Sequence, residues 1–320
     1  MDPALSAPDR PKLNPSDIRH LSRRSNLRSC ATALIIYGGI IGVVAVATVW
    51  TNIWTLLLGF FLIAGFQHNI SMLQHEAIHS LFSTNKRWND FAGNWLFGYP
   101  IGFTMHYREI HFAHHSHLGG EDDPDMVNYK SYPNTASFFL TVFLRNITGV
   151  SAIKQSLEMA GIIRSEDPHT TAANIKPASR WHILGLVFTQ IVILGLFSAF
   201  SHWWMYFVLW LLPLLTLTKT LTNIRNAVEH TAIVENAWVP FARYRTIRAP
   251  FVEKFFLSPL NFNYHAEHHL HPSIPYFNLP KAHQLMASHP SYRKYIHLIP
   301  GYMYFVRNFM VQKKVARSGC

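Results

Sequence analysis

Histidine is the residue type that offers the most chemistry in this sequence of 320 residues. Twenty histidines are present, and three groups of them recur at helical spacing. These motifs are His75-x-x-x-His79, His111-x-x-His114-His115 and His265-x-x-His268-His269. Residues three and four apart share a face of a helix, so each motif points two or three imidazoles in one direction. Imidazole binds zinc, copper, iron and nickel, and the motifs therefore predict a metal site.

The number of imidazoles narrows the kind of metal site. Eight histidines in the three motifs are too many for one ion. Zinc sites normally close at four ligands, or at three ligands plus water. Two ions of higher coordination number, with positions left open for oxygen, accommodate eight or nine histidines better. The count therefore favours a pair of irons.

Two long apolar stretches must position these motifs. The chain is 49% hydrophobic and 14% charged, against about 25% charged in a typical soluble domain. Ser29 to His75 and Trp181 to Thr218 contain no Asp, Glu, Lys or Arg. A spanning helix needs about 20 apolar residues, so each stretch holds two. The sequence predicts an all-α, polytopic membrane protein with two helical hairpins, whose spans are about 31–50, 53–73, 183–200 and 203–221.

The distribution of charge predicts the orientation of these spans. The formal charge of +11 would by itself fit a nucleic-acid partner as well as a membrane surface. The basic residues, however, all lie outside the predicted hairpin turns, because neither Thr51-Asn52 nor Ser201-His202 carries a charge. The positive-inside rule then places both termini and the central segment in the cytoplasm. We expect a cytosolic tail over 1–30 and one domain over 31–320, whose cytosolic helical cap carries the motifs. No nucleic-acid partner is expected, and two cysteines allow no disulfide framework.

Three further segments have recognisable patterns. Phe91 to Met105 is free of charge but too short to span, which predicts a re-entrant or interfacial piece. Ala136 to Ile163 mixes apolar and charged residues and predicts an amphipathic helix on the membrane surface. Repeated prolines in the last third predict short helices and turns.

A pair of irons beside a bilayer indicates that O2 is activated to attack a lipid C–H bond.

The three motifs, placed after the second and fourth spans, resemble the histidine boxes of the membrane-bound fatty acid desaturases. The third box is the most specific part, and reads Asn263-Tyr-His-Ala-Glu-His-His-Leu-His-Pro-Ser-Ile-Pro275, with Leu279-Pro280 beyond it. Asp123-Pro124-Asp125 after the second box is also similar. The resemblance extends over roughly Leu56 to Gln284.

This resemblance implies a mushroom-shaped helical protein with a cytosolic cap that holds a non-haem di-iron centre. Such enzymes take electrons from a donor and use O2 to remove two hydrogens from an acyl chain. No His-Pro-Gly-Gly signature of a fused cytochrome domain is present, so a separate donor of the ferredoxin or cytochrome b5 type is expected. The implied ligands are His75, His79, His111, His114, His115, His265, His268 and His269. His230 is implied as a further ligand, with Asn226 acting through a water.

Family resemblance does not name the substrate. The same boxes recur in alkane hydroxylases, in carotenoid hydroxylases and ketolases, and in desaturases of small amino-acid-like metabolites. A fatty acyl chain, carried by a lipid or a thioester, is the first expectation. Hydroxylation, ketolation or desaturation of another apolar or small metabolite is the alternative.

Other readings of the histidines remain open. His75-Glu76-x-x-His79 is the HExxH motif of zinc metallopeptidases, but that reading leaves the other two boxes unexplained. Paired Glu-x-x-His motifs at Glu76 and Glu166 match di-iron carboxylate bundles, although Pro168 disfavours the second helix. A metal transporter would place polar groups within the spans, which carry few. Three acidic residues beside the boxes are expected to orient imidazoles, namely Glu76, Glu229 and Glu267.

Overall fold

A computed structural model describes residues 13–102, 105, 107–164, 179–231, 245–292 and 296–311. Most of these residues are helical. Four helices are long and apolar enough to cross a membrane, and we number them in chain order as the first to fourth long helix. They are Asn26–Val49, Ile53–Ile78, Arg180–Phe200 and Tyr206–His230. Their number matches the four predicted spans.

The second and fourth long helices continue beyond the predicted ends of their spans. The sequence predicted ends near residues 73 and 221, whereas the helices end at Ile78 and His230. Apolar composition marks only the part of a helix that lipid can cover, but backbone hydrogen bonding continues into polar sequence. Both helices therefore carry candidate ligands on their last turns.

A capping box begins the second long helix, and a proline interrupts the fourth. The Asn52 side chain accepts hydrogen bonds from the backbone N–H groups of Trp54 and Thr55, and the Thr55 hydroxyl accepts one from the backbone N–H of Asn52. This capping box confirms the predicted turn between the first two long helices. Pro213 interrupts the fourth long helix, where the π-helical segments Tyr206–Leu211 and Leu214–Thr218 flank it. A proline has no N–H to donate, so regular α-helical bonding fails there.

Shorter helices lie between and after the long ones. The α-helices are Pro15–Leu21, Lys86–Phe91, Tyr107–His117, Ala136–Ile147, Val150–Met159, Phe251–Leu257, His265–Leu270, Leu279–Ala287 and Tyr302–Phe305, the π-helices are Ala92–Gly98 and Val306–Met310, and the 3-10 helices are Tyr99–Ile101, Met126–Asn128 and Tyr276–Asn278. The proline-rich last third thus forms short helices and turns, as predicted.

Two predicted segments differ in detail from the sequence expectation. The single helix expected from residue 136 to 163 is two helices bent by 69°, because Gly149 between them has φ +81°. If that bent pair crosses a membrane as one span, the candidate spans number five. The segment expected to be re-entrant or interfacial consists of the π-helix Ala92–Gly98 and the turn Tyr99–Ile101, which packs with the third long helix.

A small parallel sheet departs from the predicted all-helical fold. Arg245–Ile247 pairs with His297–Ile299, and Thr246 lies opposite Leu298. The Arg245 side chain is fully buried and donates hydrogen bonds to the carbonyls of Val228 and Thr231. This sheet therefore fixes the end of the fourth long helix, where His230 lies.

Buried polar residues join the second long helix to its neighbours. The Gln67 amide donates to the Trp210 carbonyl at 2.8 Å and accepts from the Thr218 hydroxyl at 2.7 Å. His68 Nδ1 lies 2.7 Å from the Phe256 carbonyl, and the Asn69 amide donates to the Phe255 carbonyl at 3.2 Å. Each such bond contributes on the order of 1 kcal/mol. Together they fix the position of the second long helix along the fourth long helix and along helix Phe251–Leu257.

Two helix-interior glycines differ in how tightly they are packed, Gly38 in the first long helix and Gly65 in the second. A Cβ at Gly65 would overlap the Phe255 ring, which itself packs edge-on against Phe66, whereas nothing lies within 4 Å of a Cβ at Gly38. We expect Gly65→Ala to destabilise the purified protein by about 1–3 kcal/mol through overpacking. Gly38→Ala should raise the stability by up to about 1 kcal/mol, because alanine is the better helix former. Thermal unfolding in detergent measures both, and equal melting temperatures would contradict this packing.

Candidate metal centre

The nine predicted histidine ligands converge in two groups. The five-histidine group consists of His75, His79, His111, His115 and His268, and one nitrogen of each lies within 4.8 Å of the others. The four-histidine group consists of His114, His230, His265 and His269. All nine side chains come from four separate parts of the chain, so tertiary packing alone brings them together.

The second and third boxes each divide their histidines between the two groups. Successive residues of a helix are rotated by about 100°, so residues i and i+4 share a direction from which residue i+3 diverges. On helix Tyr107–His117, the i, i+4 pair joins the five-histidine group while His114 joins the other. On helix His265–Leu270 the assignment is reversed, and His268 alone reaches the five-histidine group. Helices Tyr107–His117 and His265–Leu270 therefore each contribute histidines to both groups.

Short nitrogen–nitrogen contacts identify where a cation fits the five-histidine group. The Nε2 atoms of His79 and His111 are 2.9 Å apart, those of His111 and His115 are 3.0 Å apart, and those of His115 and His268 are 3.2 Å apart. Each Nε2 has one in-plane site, which carries either a proton or a lone pair. Four such atoms form at most two hydrogen bonds, so three short contacts need another explanation.

A cation bound by the lone pairs of these nitrogens would account for the short nitrogen–nitrogen contacts in both groups. His265 Nε2 lies 3.0 Å from the Nε2 atoms of both His230 and His269, and only one of these contacts can be a hydrogen bond. Nitrogens bound at about 2.1 Å to neighbouring positions of one ion lie roughly 3 Å apart, which matches these spacings. The residues present therefore fit two metal ions.

Burial keeps the ligands of the five-histidine group in the form that binds metal. Desolvation lowers the pKa of His79 to about 3 and, together with the charges of His79 and His114, that of His115 to about 2. The pKa values of His111 and His268 are also well below the ordinary value, mainly through burial. These imidazoles are neutral at pH 7, so their lone pairs are available to a metal.

Asp123 supports the four-histidine group from behind. His114 Nδ1 lies 2.9 Å from Asp123 Oδ1, and both side chains are buried. Burial opposes charge on His114, but the hydrogen bond to Asp123 and nearby carboxylates outweigh it, and the pKa of His114 is raised. Asp123 also accepts from the backbone N–H of Gly119 and Asp125. A carboxylate that holds Nδ1–H directs the other ring nitrogen at the metal.

One of the three acidic residues expected to orient imidazoles contacts a ligand. Glu229 Oε2 lies 3.3 Å from His265 Nδ1, while Arg225 and the Tyr302 hydroxyl bind the same carboxylate. The other two bind elsewhere. Glu267 binds Thr246, Tyr292 and His283, and Glu76 accepts from the backbone N–H of Tyr276.

The position of Glu76 bears on the zinc-peptidase reading. A general base must face the metal and a water, but Glu76 is 1% exposed and belongs to neither histidine group. His75 and His79 instead meet three histidines from the other boxes. The described geometry gives that reading no support. In the bundle reading, Glu166 and His169 lie outside the described residues.

A cavity of about 410 Å³ adjoins both histidine groups. Its wall includes His75 and His111 from one group and His230 and His265 from the other. Asn226 also lines it, one helical turn before His230, as a partly buried side chain. A molecule in this cavity would therefore lie against metals held by either group.

The cavity wall contains residues that the sequence analysis did not single out. Lys219, Gln155 and Tyr107 all line it. Lys219 carried a usable signal, because it is the first charged residue after the second charge-free stretch and precedes His230 by eleven positions, or three turns. Nothing in the sequence placed Gln155 or Tyr107 beside it.

Comparison with known proteins supports the histidine-box resemblance. A family model described as "Fatty acid desaturase" matches residues 48–299, a range that contains all nine candidate histidines. The chain is also similar to the dihydrorhizobitoxine desaturase of Bradyrhizobium elkanii. The two are 27% identical over 269 residues, which cover 80% of this chain and 74% of that protein.

Metal analysis of single variants tests whether the two groups bind separate ions. We expect two metal ions per chain in the wild-type protein. After dialysis against a weak chelator, His115→Ala and His269→Ala should each retain about one ion, because each removes a ligand from one group only. His117→Ala is the matched control, since that exposed side chain on the second-box helix belongs to neither group. Loss of both ions from either variant would contradict two separate sites.

Proposed function

The chain belongs to the fatty acid desaturase family, and from this premise we propose that it uses O2 and two irons to remove two hydrogens from an acyl chain in a membrane. The observation that carries the proposal is the convergence of nine histidines beside one cavity. A desaturase among its relatives supports the reaction class.

The donor sets fit iron. Five convergent histidines exceed the four ligands at which zinc sites normally close, and no thiolate that would select a softer metal contributes to either group. When bound, the two irons supply the redox chemistry by which O2 removes hydrogen from carbon. The proposed ligands are the five-histidine and four-histidine groups, with Asn226 as a weak, indirect ligand through a water.

The remaining residues orient the ligands and substrate. Asp123 holds Nδ1 of His114 by a hydrogen bond, and Glu229 lies 3.3 Å from Nδ1 of His265, so that the opposite nitrogen of each ring faces the four-histidine group. Neutral Asn226 adds no negative charge at the cavity wall, and an added anion would stabilise the oxidised metal against reduction. The apolar parts of the cavity wall exclude water from the reacting carbon.

The proposal specifies the reaction class more closely than the substrate. A lipid or acyl thioester is the first substrate class to test, as the family name suggests. The relative is named for dihydrorhizobitoxine and not for a fatty acid. Desaturation, hydroxylation or ketolation of another apolar or small metabolite at the same centre is therefore the alternative outcome.

We propose that the electrons come from another protein. Two cysteines cannot supply the four thiolates of an iron–sulfur cluster, and the sequence contains no flavin or haem motif. We propose a separate donor of the ferredoxin or cytochrome b5 type. The basic residues outside the long helices offer it a surface of opposite charge.

We also propose that the four long helices cross the membrane as two hairpins, with the histidine-bearing cap and both termini in the cytoplasm. The uncharged turns at Thr51-Asn52 and Ser201-His202 support this orientation. A reporter inserted at either turn should be active only on the far side of the membrane, while one fused after Cys320 should be active only in the cytoplasm. Cytoplasmic activity at either turn would refute the hairpins.

Substitution at the end of the fourth long helix tests the proposed chemistry. Purified protein supplied with a reduced ferredoxin should consume O2 and convert acyl substrates analysed by mass spectrometry, and omission of the ferredoxin should stop both. His230→Ala should lose about one of the two irons and at least 90% of the rate, because a ligand of the four-histidine group is removed. Asn226→Ala should keep most of its iron yet turn over more slowly. If both variants retain full iron and wild-type rates, neither residue is part of the centre.

A further inference from the structure

Lys219 is the feature of the cavity that an apolar acyl chain does not explain. It lies within the fourth long helix, is partly buried, and lines the cavity that adjoins the histidine groups. A charged group in an apolar, membrane-embedded helix carries a large desolvation cost unless a partner compensates it. Residues this costly in membrane helices are commonly functional.

The described residues give Lys219 a neutral partner and no ion pair. Its ammonium donates to the Gln155 side-chain oxygen at 2.6 Å. Asp125, which also lines the cavity, and Glu158 favour the charge of Lys219 electrostatically without forming an ion pair with it. Asp125 accepts from the Tyr107 hydroxyl, and Glu158 pairs with Lys154. An ammonium has three N–H donors, so two remain for a molecule in the cavity.

The other cation of the cavity wall is already neutralised. Arg225 forms an ion pair with Glu229, in which Nε donates to Oε1 at 3.0 Å and a terminal guanidinium nitrogen lies 3.0 Å from Oε2. Lys219 is therefore the one cationic side chain among the described lining residues that could meet a charge from outside the chain. A single free positive charge suits a monoanion, whereas a phosphate group normally engages several cations.

Lys219 belongs to a polar stripe that leads to the metal centre. Asn223, Asn226 and His230 follow it at intervals of four, three and four residues, which places all four on one face of helix Lys219–His230. All four line the cavity. The helix rises by about 1.5 Å per residue, so Lys219 and His230 are separated by roughly 16 Å along its axis. A molecule bound at both ends would be elongated, with one charged end.

We propose that Lys219 binds the carboxylate of the substrate, and that the enzyme acts on a free carboxylic acid. This inference rests on the proposed function of the histidine groups. Gln155 holds the ammonium in the cavity, and the carboxylate replaces the missing counter-charge. A neutral ester or thioester at the same place leaves the Lys219 charge uncompensated, so such substrates bind more weakly.

Ligand binding tests this proposal without turnover. The probes are octanoate, methyl octanoate and octyl phosphate, titrated calorimetrically into full-length protein in phosphatidylcholine nanodiscs, with empty nanodiscs subtracted. The wild-type protein should bind octanoate about ten- to a hundredfold more tightly than its methyl ester, as expected for a charge-assisted contact. Lys219→Met should abolish this preference by weakening octanoate alone, and Lys219→Arg should retain most of it.

Lys86→Met is the matched control, because it removes an exposed lysine charge outside the cavity lining. It should preserve the wild-type preference. An unchanged preference in Lys219→Met would overturn the proposal, and so would tighter binding of octyl phosphate than of octanoate, which would indicate a lipid-phosphate site. Iron content and O2 consumption of the same preparations report separately on the proposed function, since acid binding requires neither.

Discussion

The convergence of nine imidazoles within a few ångströms is the constraint on which the rest of the structure depends. Each neutral ring offers a single lone pair or a single proton in its plane, so the short contacts cannot all be hydrogen bonds. Cations relieve this conflict, but the polypeptide must first hold the rings. The hydrogen bonds of Gln67 to the fourth long helix and the burial of Arg245 beneath its end supply that rigidity.

Buried carboxylates make this arrangement electrostatically tolerable. Two positive metal ions in a low-dielectric interior require negative charge close by, and neutral histidines provide none. Asp123 and Glu229 lie directly behind ligands of the four-histidine group, and Arg225 and Tyr302 fix Glu229 in place. No comparable carboxylate contact supports the five-histidine group in the described residues. The two groups therefore differ in electrostatic environment as well as in ligand number.

The histidine groups and the cavity wall are built largely from different side chains of one fold. The boxes lie on three helices, whereas most of the cavity wall is built from side chains outside the boxes. In this chain that wall combines apolar residues of the third and fourth long helices with Lys219, Gln155 and Asn223. A purely apolar tunnel would need no ammonium, so these polar residues give one part of the cavity wall a different chemistry from the rest.

The sequence by itself determined the local features of this protein. The periodicity of His75 and His79, the apolar stretches and the uncharged turns depend on residues close in the chain, and they sufficed for four long helices, three boxes and the family. Only the tertiary structure decided which imidazoles share a metal site. Helical spacing predicted that the imidazoles of each box point in one direction, but not that His114 joins a different group from His111 and His115. Likewise Lys219 became a candidate anchor only when Gln155, 64 positions earlier, was found against it, because such contacts depend on the packing of distant segments.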